Sequence, residues 1–164
     1  TQHALFLLQK NWQTSLDKDG FVGTVLIDLS KAYDCLPHDL IIAKLAAYGF
    51  GRKSLRLIYS YLSKRKQRVK IFSTLSEFME VVFGVPQGSI LGPLLFNIFL
   101  NDIFFFILET ELCNFADDNT LYACENNIKN ILEKLTRDTN RILDSFSHNS
   151  MIANPAKFQL MFLM

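Results

Sequence analysis

The segment Phe21–Leu29, FVGTVLIDL, restricts the fold more than any other. It is short, apolar and β-branched, which favours a strand over a helix. Its composition places that strand in the interior, and Asp17-Lys18-Asp19-Gly20 supplies the turn before it. Asp28 stands at the C-terminal end of this strand. An unpaired carboxylate is costly at such a position.

The remaining segments predict the layers around the strand. Residues 3–16 allow a short helix. Asp39–Tyr48 reads as a helix with Gly49 as its C-terminal cap, and a basic helix runs over Lys53–Leu62. Gln67–Phe72 and Phe78–Phe83 form a hairpin around a Ser/Thr-containing turn, and Gly84–Gly88 is a loop. Ile90–Leu108 is an apolar helix. Leu112–Ala116 and Asn119–Ala123 form a second hairpin, with Asp117 and Asp118 at its tip. Asn127–Phe146 is an amphipathic helix, and Phe158–Met164 a last strand. Hairpins and helices alternate without a βαβ period. The expected class is therefore α+β, an antiparallel sheet with helices on one face.

A chain of 164 residues suits one domain. Net charge is +1, but its distribution is uneven. Gly51–Lys70 holds eight basic residues and no acid, whereas Ile71–Glu125 holds eight acids and no Lys or Arg. One part suits phosphates and the other cations. Three scattered cysteines without C-x-x-C spacing argue against a disulfide framework and a zinc site. A reducing intracellular location, nucleus or cytoplasm, is expected, since no signal peptide opens the chain. Asn97, Asn101 and Asp102 interrupt Ile90–Leu108, so a buried helix is favoured over a membrane span. Thr1 is no initiator Met and Met164 ends an apolar run, so the chain reads as part of something longer.

Asp117 and Asp118 are adjacent acids between apolar runs. Like charges at close range resist joint ionisation unless a cation separates them. Pattern alone leaves an acidic turn and a metal site equally open. Asp28 shifts the balance, because three converging carboxylates can hold two ions and support phosphoryl transfer. Asp34 is a nearby competitor past the strand end, and reads as a loop or helix-start residue.

Asp28-Leu-Ser-Lys-Ala-Tyr-Asp34, Gly84-Val-Pro-Gln-Gly-Ser-Ile-Leu-Gly-Pro93 and Phe115-Ala-Asp-Asp118 occur in that order. In order and spacing they resemble the reverse transcriptase family, most closely its non-LTR (LINE-type) branch, across nearly the whole chain. The resemblance implies a polymerase palm: an antiparallel sheet backed by helices, as a single partial domain over residues 1–164 with fingers truncated and thumb absent. It implies that Asp28, Asp117 and Asp118 hold two Mg²⁺ ions, with Mn²⁺ as an alternative. Tyr33 would pack under the incoming sugar, Gln87 and Gly88 would contact the nucleotide and template, and Lys157 would lie near the triphosphate. On residue type alone, Tyr33 is a packing aromatic, Gln87-Gly88 a plain turn and Lys157 a solvated charge. Phe115 stands where the family usually has Tyr, and Phe146 where it often has Trp.

Lys64, Arg65, Lys66, Arg68 and Lys70 suit contact with a nucleic-acid backbone. A solvated helix end and a nuclear-targeting signal are the competing readings. The expected activity is RNA-directed DNA synthesis, with an RNA template, a DNA primer and deoxynucleoside triphosphates as partners and no membrane. Fingers, thumb and an endonuclease region would belong to a longer polyprotein. The alternative is an inactive, decayed or domesticated palm-like module that binds nucleic acid or protein.

Overall fold

The computed structural model describes residues 2–164. In chain order the elements are α1 (Gln2–Leu16), β1 (Phe21–Ile27), β2 (Leu29–Ser30), α2 (His38–Ala47) and α3 (Arg52–Leu62). The short strands β3 (Lys66–Gln67), β4 (Lys70–Ile71), β5 (Thr74–Leu75) and β6 (Met79–Glu80) follow, then α4 (Leu91–Leu100) and a 3-10 segment (Asn101–Phe106). The chain continues through β7 (Glu111–Phe115), β8 (Asp118–Glu125), α5 (Ile128–His148), β9 (Ile152–Ala153), a 3-10 turn (Pro155–Lys157) and β10 (Gln159–Leu163). These elements fall into two compact units. One comprises the chain up to Ala32 and from Asn101 onward, and the other is Tyr33–Leu100.

The first unit is an antiparallel sheet of four strands in the order β10-β1-β8-β7. β1 lies inside the sheet, as its sequence predicts. Its residues alternate between two covered faces. Val22 and Thr24 are buried on the face that α1 crosses, where Trp12 of α1 meets Tyr122 edge-on at 6.2 Å. Gly23 and Ile27 point to the opposite face, under α5. A Cβ on Gly23 would lie 2.3 Å from Ile131 Cγ2, so the missing side chain sets how closely α5 approaches. Ile131, Leu135, Ile142 and Phe146 of α5 are buried at helical spacing against that face.

α5 also carries an acid that the apolar pattern hides. Asp138 is fully buried, at 0% exposure. Its Oδ2 accepts from the Glu109 and Thr110 N–H groups (each 2.9 Å) and from the Thr110 hydroxyl (2.7 Å), and Arg141 donates to Oδ1. Burial pushes this carboxyl up. The bonds from Glu109 N–H, Thr110, Arg141 and Leu108 N–H more than offset that and hold it below the usual carboxylate range. Asp138 thereby clasps the segment that leads into β7.

In the second unit, α2 packs on α3 and α4, with Leu36, Ile41, Leu45, Leu62, Leu95, Phe96 and Phe99 as its core. Lys44 crosses from α2 to donate to the Phe99 carbonyl at 2.6 Å. Gly49 has φ 88, the left-handed cap expected after α2. The predicted first hairpin is present as a ribbon, with β3 paired to β6 and β4 to β5. The pairing is interrupted between them. Ser76 Oγ accepts from Val69 N–H at 2.9 Å there, a side chain taking the place of a ladder carbonyl.

Several boundaries differ from the sequence expectation: β1 ends at Ile27 rather than Leu29, and the second arm of the first hairpin begins at Thr74 rather than Phe78. The apolar helix ends at Leu100 rather than Leu108, and a 3-10 segment follows. Asn101 and Asp102 begin that segment, and such side chains compete for backbone hydrogen bonds. No helix among the described residues is long and apolar enough to cross a membrane. The second hairpin turns at Ala116-Asp117, so Asp118 belongs to β8 and only Asp117 lies in the turn.

Candidate active site

Asp28 directly follows β1 and precedes β2. Its carbonyl accepts from Asn154 N–H at 2.9 Å, and β2 pairs with β9 just beyond. The acid is thus pinned on both sides. The β1–β8 ladder ends with Ile27 opposite Asn119, so its next rung sets Asp28 beside Asp118. By strand alternation these acids share the face that carries Thr24 and Tyr122. Both line a cavity of ≈ 530 Å³ whose wall includes Leu5 and Leu8 of α1, Cys113 and Lys157. Burial pushes the Cys113 thiol up, so this part of the wall is neutral.

Asp28 Oδ2 is buried and receives no hydrogen bond. Lys157 Nζ lies 3.2 Å from it, close enough for an ion pair but outside hydrogen-bonding alignment. Lys157 is 64% exposed on its side chain, so solvent screens most of this attraction. A carboxylate that lines a cavity and keeps one oxygen without a hydrogen bond suits a hard cation. Asp118, exposed on the same cavity, adds a second oxygen donor. The residues therefore fit a divalent ion. Among the described residues, however, no three His, Cys, Asp or Glu side chains are gathered closely enough to form a complete ligand set.

Asp117 occupies the turn between β7 and β8. Ala116 before it has φ 55, a conformation that costs an alanine about 1 kcal/mol. Two asparagines brace this turn. Asn114 Nδ2 donates to the Ala116 carbonyl, and Asn119 Nδ2 donates to the Asp117 carbonyl, each at 2.9 Å. Asn114 also donates to Asn119 Oδ1 at 2.9 Å. The sequence reading missed both asparagines. Their spacing around the acids, three before Asp117 and one after Asp118, was the available signal.

Tyr33, Gln87 and Gly88 belong to the second unit. Tyr33 stacks on Phe96, with centroids 4.5 Å apart at 19°. Pro86–Ser89 forms a turn closed by Ser89 N–H to the Pro86 carbonyl at 3.3 Å, with Gly88 at φ 75. The turn itself therefore requires glycine at position 88, independently of any ligand. Ser89 Oγ accepts from Gly92 N–H at 3.0 Å, tying the loop to α4. Asp34, which the sequence reading set aside as a loop acid, accepts from Gln87 Nε2 at 2.9 Å.

The basic run does not end a helix. Lys64 turns away from α3 with φ 57, Lys66 lies in β3 and Lys70 in β4. Lys64, Lys66, Arg68 and Lys70 are exposed. The Arg68 guanidinium caps the Phe78 ring at 4.6 Å. Arg65 is half-buried and donates to the Gly84 carbonyl at 3.3 Å, so it is committed to the glycine loop.

The model of the family described as "Reverse transcriptase (RNA-dependent DNA polymerase)" matches residues 5–162. A probable RNA-directed DNA polymerase from transposon BS of Drosophila melanogaster is 33% identical over 96 residues, which is 58% of this chain and 10% of the relative. The RNA-directed DNA polymerase from mobile element jockey of Drosophila funebris is 32% identical over 89 residues, 54% of this chain and 10% of the relative. The chain thus spans about a tenth of the length of these relatives. Among solved structures, apo telomerase from Candida tropicalis superposes with a TM-score of 0.73 at 14% identity, covering 98% of this chain and 32% of that one. That likeness shows the fold, an α+β palm-like fragment. With a family model matched over residues 5–162, this chain belongs to the reverse transcriptase family.

Proposed function

We propose that the chain is the catalytic core of an RNA-directed DNA polymerase. In that reaction a primer 3′-hydroxyl attacks the α-phosphate of a deoxynucleoside triphosphate. The bond to the β-phosphate breaks, and pyrophosphate leaves with the electron pair. One observation carries the reading within this family: a buried Asp28 oxygen without a donor, on the cavity that Asp118 also lines.

Asp28, Asp117 and Asp118 would hold two Mg²⁺, or Mn²⁺ in their place. Such ions lower the charge on the phosphate oxygens and favour the ionised hydroxyl. The protein's own part is positioning and electrostatics. The β1–β8 ladder fixes Asp28 and Asp118 as neighbours, so little reorganisation is needed when substrate arrives. The asparagine brace holds Asp117 in a strained turn. The exposed Lys157 ammonium suits a triphosphate oxygen. Tyr33 is restrained by its stack on Phe96, which suits a steric check on the sugar. Gln87 offers an acceptor and a donor to the nucleotide or template. Lys64, Lys66, Arg68 and Lys70 would contact backbone phosphates, with an affinity that falls as salt rises. Arg65 would act on the glycine loop.

The experiment is primer extension on poly(rA)/oligo(dT) by the full-length protein with Mg²⁺, comparing wild type with Asp117→Ala. The expected result is metal-dependent extension that the substitution abolishes. Absence of metal-dependent extension by wild type would overturn this reading in favour of an inactive palm-like binding module.

A further inference from the structure

We propose that Asp34 is a positioning residue for nucleotide recognition that acts through Gln87. The inference rests on the reading of Gln87 as a nucleotide contact and extends it.

Segments 33–37 and 83–88 are far apart in sequence and tightly joined in space. Pro37 and Phe83 form an isolated bridge. Gly84 N–H donates to the Leu36 carbonyl and Val85 N–H to the Tyr33 carbonyl, each at 2.8 Å. His38 Nε2 lies 2.8 Å from the Gly84 carbonyl. Gly84 has φ 77, and a Cβ there would lie 2.7 Å from both Asp34 Cα and the Tyr33 carbonyl oxygen. The two backbones therefore touch with no room for a side chain between them. Gly84 and Val85 are buried in this contact.

On that base, Gln87 Nε2 donates to Asp34 Oδ1 at 2.9 Å. Both side chains are exposed, and an exposed bond between two free side chains would be weak. Here the backbones beneath are already fixed to each other, so less entropy is lost when the side chains meet. A carboxylate only accepts, so it dictates which end of the Gln87 amide faces it. Nε2 must turn inward, and Oε1 is left without a hydrogen bond among the described residues. Asp34 thereby presents Gln87 as an acceptor, with one remaining N–H beside it. That pattern suits the sugar or base of a deoxynucleoside triphosphate. Without Asp34 the amide could present either end, and a fraction of encounters would meet the wrong one.

The test is a double-substitution cycle in the full-length protein, scored by steady-state extension kinetics with dTTP on poly(rA)/oligo(dT). Asp34→Ala should raise KM for dTTP about 3- to 10-fold, the range for one hydrogen bond, and leave kcat nearly unchanged. Asp34→Asn, whose amide can meet either end of Gln87, should recover only part of the loss. Adding Asp34→Ala to Gln87→Ala should change KM by less than about twofold, because the pathway through Gln87 is already gone. An unchanged KM in Asp34→Ala, or multiplicative losses in the double variant, would overturn the proposal. If Asp34→Ala does not fold, Gln87→Glu takes its place. Its carboxylate would face that of Asp34 and raise KM, and Asp34→Asn in that background should restore it; no restoration overturns the proposal. Asp117→Ala is run alongside. If it abolishes extension while the cycle fails, only the Asp34 proposal falls. If wild type shows no metal-dependent extension, the polymerase reading falls and this inference with it.

Discussion

Asp138 and Asp28 are two aspartates of one folded unit that face opposite fates. Asp138 is wholly enclosed and receives hydrogen bonds from three backbone N–H groups, a hydroxyl and a guanidinium. Asp28 keeps a buried oxygen that receives none, with an exposed lysine 3.2 Å away. A carboxylate whose lone pairs are filled by the protein is finished structurally and has nothing left to give a ligand. A carboxylate left short of donors is costly in the fold and available for chemistry. Burial alone does not separate these cases, and donor supply does.

The comparison can be broken by substitution. Asp138→Ala should give the largest effect, a loss of about 3–5 kcal/mol, because it leaves Arg141 and several N–H groups without their acceptor. Chemical denaturation of the isolated chain would measure it, and a loss below about 1 kcal/mol would break the distinction. The pH dependence sharpens the same point. The Asp138 carboxyl is depressed in the folded state, so its stabilisation is fully present above the unfolded value near pH 4. It is lost as pH falls from there through the folded value. Wild type should therefore lose stability on acidification below about pH 4, and Asp138→Asn should lose less over the same window. Denaturation midpoints at several pH values would show it.

Asp28→Asn should behave in the opposite sense. It removes a charge whose buried oxygen has no donor, so stability should change by less than about 1 kcal/mol. A loss as large as that of Asp138→Ala would mean that Asp28 is structural. Ala116→Gly should produce the smallest effect. Relief of the positive φ beside Asp117 should stabilise the hairpin by about 0.5–1 kcal/mol, where glycine elsewhere in a hairpin strand weakens it. A fall in melting temperature would show that the turn is not strained.

Much of this was legible in the sequence, for identifiable reasons. β1 was visible because an apolar, β-branched run bounded by turn residues has few alternatives. The β7–β8 hairpin was visible because two such runs flank a polar tip. Asp28 stood out as an acid at the end of a buried strand. The strand register was not legible, and it moved Asp118 from the tip into β8. The end of α4 was missed because apolarity continues past Leu100 while helical geometry does not. Asp138 looked like one more polar residue on an amphipathic helix, since its donors come from a segment some thirty positions earlier. The Asp34–Gln87 bond spans 53 positions, and no local pattern predicts it. For Asp138 and Asp34 the sequence hides the partner of a polar group, because pairing is decided by the fold and periodicity records only burial.

On the proposed function, Asp28 is kept short of donors for the sake of a catalytic cation. The most direct test is Mg²⁺-dependent primer extension by full-length Asp28→Asn, with its melting temperature measured on the same preparation. Extension should fall at least about 100-fold, with melting within a few degrees of wild type. Extension close to wild type in a folded Asp28→Asn protein would contradict it.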